Sequence, residues 1–442
     1  MHPTIALTFC FLFILFLLRR ERNKESQQSV ALWIPIIWMT LSGSRFVSEW
    51  FYPLAVKASL EEGSFLDAAV FFCLILGGIL VLNNRKILWV QLFQNNLCLF
   101  LFISYSGISV LWSEFPFVAF KRWFKEIGNL IMVIVILSNE KYVDSVKIVF
   151  KKLGYLLIPL SIILIKYFPE YGRMYSEWTG EVQYRGVGGN KNYLGFICLS
   201  CGYFYLWMLS VARKYRASII GEKNDIYLIV IFIIMVFWLF EKANSATSLV
   251  AFIAGLIVLF LLQVPNVRNN ITSINTLAVV AGLLIIFMFL LEMDKVLISF
   301  LGRESSLTDR VPLWEDILEL VVNPIIGCGY NSFWLGDRPI AIWKKWSWHP
   351  VNTHNGYLDI YVNLGYLGLL FFLALIISTF NKAKNELIIN YEYGRFRLGW
   401  LLITLLYNTT ETAFAGVHLI WIIFLLVAID LPRRSFIDEE TK

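Results

Sequence analysis

Apolar residues run along this chain in long blocks separated by short polar stretches. The blocks fall near 4–18, 31–50, 65–82, 92–112, 126–138, 153–168, 193–210, 226–240, 246–263, 275–292, 356–380, 398–411 and 413–431. Crossing a hydrocarbon core of about 30 Å takes roughly 20 helical residues, so most of these blocks predict one membrane-spanning helix each. The first, fifth and twelfth are short, so each either spans by thinning the bilayer or is re-entrant. Apolar and polar residues do not alternate strictly within the blocks, which argues against a β-barrel. No period of 20–50 residues repeats. The pattern predicts an all-α polytopic membrane protein with about 12–13 transmembrane helices and one large external loop.

Composition agrees. Of the 442 residues, 58% are hydrophobic and 16% aromatic, and the mean hydropathy is +0.66. A soluble protein of this length needs more polar surface. The first block has the uncharged "MHPT" before it and "RRERNK" after it, the reverse of a signal peptide, so it is expected to be an uncleaved anchor. Most of the 38 Lys and Arg residues fall in segments 19–30, 83–91, 139–152, 211–225, 264–274, 381–397 and 432–442. By the positive-inside rule these are cytoplasmic, with the N-terminus outside and the C-terminus inside. The expected organisation is a bundle of about ten helices over 1–292, an external loop with an amphipathic helix over 293–355, and C-terminal helices with a short cytoplasmic tail over 356–442.

The remaining positive charges lie where that rule disfavours them, among them Arg45, Lys121, Arg122, Lys125, Arg173, Arg185, Lys191, Arg303, Arg310, Arg338, Lys344 and Lys345. Each alone is accounted for by a solvated loop. Together they imply an anionic ligand at the outer face, for which phosphate is the natural candidate. The six cysteines offer no external pair for a disulfide, and Cys198 and Cys201 sit within an apolar helix as small packing residues.

Three polar clusters face the same side. In the long loop, "PLWEDILELVV" predicts an amphipathic helix starting near Pro312, and "NPIIGCGYNSF" predicts a tight turn or a close approach of backbone to a ligand. "WKKWSWHPV" fits either an interfacial aromatic belt or a stacking surface for sugar rings. His354, in "THNGYL", is either a satisfied residue at a helix start or a group that moves a proton or binds an oxyanion near neutral pH. In 169–192, "YRGVGGNKN" puts Arg185, Lys191 and three glycines before a helix, where backbone N–H groups favour an anion. In "SVLWSEFPFVAFKRWFKEIG", Lys121, Arg122 and Lys125 are expected outside, between two spans, against lipid headgroups or lining the same site.

"WIPIIWMTLSGSRFVSEW", "SVLWSEFPFVAFKRW", "PLSIILIKYFPEYGRMYSEWTGEVQYRGVGGNKNYLG" and "THNGYLDIYVNLGYLGLL" occur in the order found in the O-antigen ligase/Wzy polymerase superfamily. Over most of its length the chain resembles that superfamily, and within it the exopolysaccharide-production (ExoQ-like) polymerases. The resemblance implies a GT-C-like membrane glycosyltransferase in the bacterial cytoplasmic (inner) membrane. Such a protein polymerises oligosaccharide repeat units carried on undecaprenyl pyrophosphate at the outer face. Its partners would be that donor, a glycan acceptor, membrane lipids and other polysaccharide export proteins, with no nucleic acid. Carried over motif by motif, the resemblance implies Arg185, Arg310 and His354 as catalytic residues. Lys191, Arg122, Lys121 and Asn355 would bind the substrate pyrophosphate.

The chemistry is consistent with that set. Breaking the glycosyl bond puts negative charge on pyrophosphate, which arginines stabilise. His354 would take the proton of the attacking hydroxyl or hold the phosphate. The chain has no D-x-D motif, so the transfer is expected to be metal-independent and cofactor-free. Glu411, in "NTTETAF", is read as a polar helix cap or a secondary participant. Two other functions share these features: an O-antigen-type ligase, which differs in its acceptor, and a transporter or flippase of lipid-linked glycan. A transporter would be expected to show internal repeats and ionisable residues near the midplane rather than charges at the outer ends.

Overall fold

The computed structural model describes residues 2–22, 27–51, 63–175, 180–214, 223–268, 270, 274–276 and 310–432. Eighteen helices are described: α1 (Pro3–Arg22), α2 (Trp33–Ser42), α3 (Val47–Phe51), α4 (Phe65–Asn83), α5 (Trp89–Asn95), α6 (Leu97–Ile108), α7 (Pro116–Leu137), α8 (Tyr142–Tyr167) and α9 (Pro169–Gly172); then α10 (Lys191–Lys214), α11 (Lys223–Ala243), α12 (Ala246–Leu261), α13 (Pro265–Arg268), α14 (Arg310–Glu319), α15 (Asp337–Lys345), α16 (Gly356–Ile389), α17 (Tyr391–Tyr407) and α18 (Leu419–Ala428). Strands β1 (Arg173–Tyr175) and β2 (Val182–Tyr184) form one antiparallel pair. The protein is an all-α polytopic membrane protein.

Among the described residues, six helices are long and apolar enough to cross a membrane. A seventh is added if α5 and the helix running on from Leu97 to Trp112, bent by 89° at Asn96, count as one span. Shorter apolar helices at Val30–Ser42, Ala246–Leu261 and Leu419–Ala428 bring the number nearer the sequence expectation. The predicted block at 275–292 lies almost wholly outside the described residues, as do 293–309 of the predicted loop.

Three expectations need correction. The block at 126–138 is the second half of α7, which begins at Pro116 and carries Lys121, Arg122 and Lys125 on the helix itself. Proline suits a helix's first turn, so "FPF" starts α7 about ten residues before its apolar run. The expected cytoplasmic segment 381–397 is mostly helical, and α17 buries Arg395 and Arg397. Arg397 is held by Asp430 at 2.7 Å and Glu386 at 3.4 Å, and Arg395 by Glu392 and the Leu259 carbonyl. The block at 413–431 is helical only over Leu419–Ala428, because "NTTETAF" folds into a turn before it.

Aromatic side chains of α8, α10 and α17 form the centre of the core, with Phe150, Tyr203, Trp207, Phe396 and Trp400 all buried. Cross-helix contacts sort the polar segments into two ends. At one end Arg20 pairs with Asp225 at 2.7 Å, Lys151 lies 3.4 Å from Glu21, and Tyr142 donates to Glu386 at 2.6 Å. These residues come from the segments expected to share the cytoplasmic side. At the other end Arg45 N donates to Val187 O (3.2 Å), Asn192 to Glu411 (2.8 Å) and Gly356 N to Asn408 O (2.9 Å), which joins the Gly43–Phe46 turn, residues 180–192, the 310–356 segment and the 408–418 turn.

Helix α16 breaks at Gly365, whose φ of 65° and ψ of −166° interrupt the helical ladder. Inside a membrane protein the backbone groups released by such a break need partners. The "NPIIGCG" loop supplies them: Tyr366 N donates to Pro324 O (2.9 Å), Leu367 N to Ile325 O (3.1 Å), Cys328 N to Val362 O (3.2 Å) and Gly329 N to Asn363 O (2.9 Å). Tyr105 donates its hydroxyl to Leu364 O at 2.9 Å. The close approach that the glycines permit is thus to the broken helix, not to a ligand. A Cβ on Gly365 would sit 2.2 Å from Ile325 O, and one on Gly327 2.4 Å from Asn363 O. Gly365→Ala is expected to destabilise the protein by at least about 1–3 kcal/mol, from the positive φ and the backbone clash together. Thermal unfolding of the detergent-solubilised protein checks this; an unchanged midpoint would refute it.

Candidate functional site

The "NTHNG" segment folds as a hydrogen-bonded turn. Asn352 Oδ1 accepts from His354 N (3.0 Å), Thr353 Oγ1 accepts from Asn355 N (3.1 Å), and Asn355 Oδ1 accepts from Tyr357 N (3.0 Å) and Leu358 N (3.1 Å). Asn355 is therefore the N-cap of α16, the role short polar side chains fill best. His354 takes a φ of 51°, the left-handed region unusual for histidine. Gly356 N donates to the carbonyls of Asn408 (2.9 Å) and Glu411 (3.1 Å), which ties this turn to the one after α17.

The second turn is built by Asn408, whose amide donates to Thr404 O (2.9 Å) and whose carbonyl accepts from Ala413 N (2.7 Å). That geometry aims Glu411 inward. Its Oε1 accepts from Asn192 Nδ2 at 2.8 Å and lies 3.8 Å from Arg310, and its Oε2 lies 3.7 Å from His354 Nδ1. Arg310, the first residue of α14, also donates to Thr410 O. Burial weakens the Arg310 guanidinium's hold on its proton, and the Glu411 carboxylate opposes that shift. The structure thus brings together Arg310 and His354, two of the three predicted catalytic residues, and joins them through Glu411 rather than directly. His354 Nδ1 is buried with no hydrogen-bond partner, and the Trp348 ring stands 5.6 Å from the imidazole.

Glu411 is the residue the sequence reading undervalued. It does not cap a helix; its carboxylate bridges three segments. The available signal was the polar run "NTTET" between two apolar blocks, at the end of the bundle that also holds His354.

Arg185 lies in a different group. Its guanidinium donates to the carbonyls of Tyr171 (3.0 Å) and Glu170 (2.9 Å), and it remains half-exposed. Arg45, expected among the anion-handling residues, is buried against the same loop. It donates to Gly188 O (2.9 Å), Gly186 O (3.2 Å) and Tyr171 O, with Trp50 stacked 4.8 Å from the guanidinium. Burial, then the neighbouring Arg185, lowers Arg45 to about 10. The N–H groups of residues 185–188 in the glycine-rich loop are used internally. Arg185 N and Gly186 N donate to Gly172 O, Val187 N to Ser161 Oγ, and Gly188 N to Arg185 O. Those four groups are therefore taken up by the fold rather than turned toward an anion. Lys191 opens α10 one residue before Asn192, and Tyr193 feels both Glu49, beside Arg185, and Glu411. The 185–193 stretch thus runs from one group to the other.

Lys121 and Arg122 lie on α7. Lys121 lies 4.9 Å from the centre of the Phe117 ring, and Arg122 donates to Asn331 O. Of the loop tryptophans, Trp346 donates to Asp316 at 2.8 Å and Trp343 to Pro350 O at 2.8 Å, which leaves Trp348 as the exposed ring beside His354. Among the described residues, no group of three His, Cys, Asp or Glu could hold a metal.

Residues 226–373 match the family model described as O-Antigen ligase, a span that contains Arg310 and His354 but neither Arg185 nor Glu411. The exopolysaccharide production protein ExoQ of Rhizobium meliloti (strain 1021) is 19% identical over 317 residues, 70% of each chain. A protein of Rickettsia prowazekii named as a candidate polysaccharide ligase is 24% identical over 211 residues, 45% of this chain and 52% of the relative. A counterpart in Rickettsia typhi is 25% identical over the same length. The chain spans about half of these two ligase relatives. The resemblance read from the sequence is borne out.

Arg45→Ala removes donors from three loop carbonyls and is expected to cost on the order of 3 kcal/mol. Arg185→Ala, half-exposed, is expected to cost less than about 1 kcal/mol. Limited proteolysis between residues 169 and 192, read with thermal unfolding, separates the two; equal effects would refute the assignment of Arg45 as the clamp.

Proposed function

On the premise that residues 226–373, which match the O-Antigen ligase family model, carry that domain, we propose a membrane glycosyltransferase. It polymerises undecaprenyl-pyrophosphate-linked oligosaccharide repeat units into exopolysaccharide at the outer face of the bacterial cytoplasmic membrane. The observation that carries this reading is Glu411, which gathers Arg310, His354 and Asn192 at one end of the bundle. An anion-stabilising arginine and a proton acceptor thereby sit on one carboxylate where a lipid-anchored donor meets water. In this reading the basic end held by Arg20, Lys151 and Arg397 is cytoplasmic, with the N-terminus outside and the C-terminus inside.

The acceptor hydroxyl attacks the anomeric carbon, and the bond from that carbon to the phosphate oxygen breaks. The electron pair leaves on pyrophosphate. Arg310 stabilises that charge as it develops, and Arg185 and Lys191 extend the positive surface along the 185–193 stretch. His354 takes the hydroxyl proton through the nitrogen its turn presents. At 3.7 Å Glu411 is too far for a hydrogen bond but near enough to stabilise an imidazolium and to tighten on it once substrate is bound. Asn355 acts through its cap, by fixing the backbone that carries His354. Arg122, Lys121 and the loop lysines attract the anionic donor at longer range. A ligase differs only in its acceptor, and the names of the Rickettsia relatives favour that as the second reading.

In a deletion strain, His354→Ala, Arg310→Ala and Glu411→Ala are each expected to lower polymer at least about 100-fold at normal membrane abundance, with unpolymerised lipid-linked units accumulating outside. Arg185→Ala is expected to lower it less than these three. Normal polymer in all four would refute the site. Accumulation on the cytoplasmic face would replace a transferase with a transporter. Transfer by the purified protein is expected to continue in excess chelator; loss restored by a divalent cation would refute the metal-independent reaction.

A further inference from the structure

The Asp359 carboxylate takes no part in the reaction described above, yet it holds the chain neighbours of both His354 and Glu411. Asp359 lies in the first turn of α16, just after the Asn355 cap. Its carboxylate accepts hydrogen bonds from the Thr412 hydroxyl, the Trp334 indole and the backbone of Thr353. Thr353 immediately precedes His354, and Thr412 immediately follows Glu411. Trp334, Asp359 and Thr412 also border one small cavity, where the loop before α15, the start of α16 and the 408–418 turn meet.

An acid in a first turn is favoured by the helix dipole, and a carboxylate facing water would meet that need. Asp359 instead turns toward two segments distant in the chain. A carboxylate only accepts, with room for about four hydrogen bonds on its two oxygens, and its charge makes each about twice as strong as a neutral one. It can therefore hold several donors from different segments at once. Asparagine could not, because its amide would set N–H groups against the indole, which only donates.

Each reacting group is thereby gripped on both sides. Gly356 N donates to Glu411 O at 3.1 Å, and Asp359 holds Thr412 beyond it. Before His354 stands Thr353, tethered to Asp359; after it stands the cap residue Asn355, whose N–H donates to Thr353 Oγ1 at 3.1 Å. His354 keeps its left-handed φ of 51°, a conformation that persists only where the surrounding structure over-determines it. Without the tether at Thr353 the backbone is free to relax and to carry the imidazole away from Glu411, 3.7 Å distant. A displacement of about 1 Å at a reacting group costs on the order of 100-fold in rate. We propose that Asp359 is the positioning residue that fixes His354 against Glu411, acting through Thr353 and Thr412. This assignment rests on the glycosyl-transfer reading.

Full-length protein in proteoliposomes is supplied with lipid-pyrophosphate-linked oligosaccharide extracted from a strain that lacks it, and variants are compared at equal abundance. Asp359→Asn is expected to lower kcat at least about 10-fold and to leave KM within about twofold. Thr412→Val is expected to lower kcat about 3- to 10-fold, and Thr412→Ser, which keeps the hydroxyl, less than about twofold. Added to Glu411→Ala, Asp359→Asn is expected to cost less than about twofold more. A rise in KM at unchanged kcat, equal rates for Thr412→Val and Thr412→Ser, or full multiplication of the losses with Glu411→Ala overturns the proposal. If Asp359→Asn does not reach the membrane, the two Thr412 variants decide it. If the wild type releases no lipid pyrophosphate, the transfer reading itself fails, and crosslinking decides the register. His354→Cys and Glu411→Cys together are joined by a short bis-thiosulfonate and the linked peptides are measured by mass spectrometry. The link is expected to form with Asp359 and to be lost with Asp359→Asn; equal yields, or none in either, overturn the assignment.

Discussion

A backbone amide or carbonyl left without a partner in the apolar layer costs several kcal/mol, and four departures from regular helix among the described residues are arranged around that constraint. At the α5–α6 bend, Asn96 donates to Leu92 O and Asp430 O and accepts from Asp430 N. At Gly365 the 323–329 loop takes up the released groups. At the glycine-rich loop Arg45 collects the carbonyls. After α17, Asn408 closes the turn. Three of these four places lie at the end of the bundle that holds the candidate site.

The site is therefore a consequence of how broken helices are repaired. The partners that satisfy Gly365 draw the 323–333 loop against α16, and Asn363 fixes that loop by accepting from Ser332 N and Phe333 N. This places Trp334, next in the chain, against Asp359. The turns around Asn355 and Asn408 share the amide of Gly356, which registers His354 against Glu411. Side chains that only support backbone thus hold the chemical groups in place, and a rigid frame of this kind is what electrostatic stabilisation of a developing charge requires.

Charge at the candidate site is handled differently from the ion pairs at the opposite end, and from Arg338 with Glu114 and Lys345 with Asp316 nearby. Arg20, Lys151 and Arg397 are paired with carboxylates at short range, as buried or half-buried charges must be to offset their desolvation. At the site end one carboxylate, Glu411, faces both Arg310 and His354 at 3.7–3.8 Å, beyond ideal hydrogen-bond length. Looser pairing leaves both groups able to bond to a substrate, whereas Arg45 is wholly committed to the loop it clamps.

Much of this was legible in the sequence, for an elementary reason. Membrane spans follow from the transfer free energy of each block, so the all-α class and the approximate positions of many helices needed no tertiary information. The family signatures placed His354 and Arg310 at the same end. What composition could not reveal were pairings between distant segments. Arg45 and Arg185 look alike in sequence, yet one is consumed by carbonyls of its own fold and the other is half-exposed. Glu411 looks like a cap until Asn192, Arg310 and His354, each from a different segment, converge on it. Asp359 reads as a first-turn helix residue until the 323–352 segment closes over it. Hydrophobicity is a local property that a single segment carries alone; which polar groups share a site depends on contacts between segments far apart in the chain, and only the tertiary structure decided those.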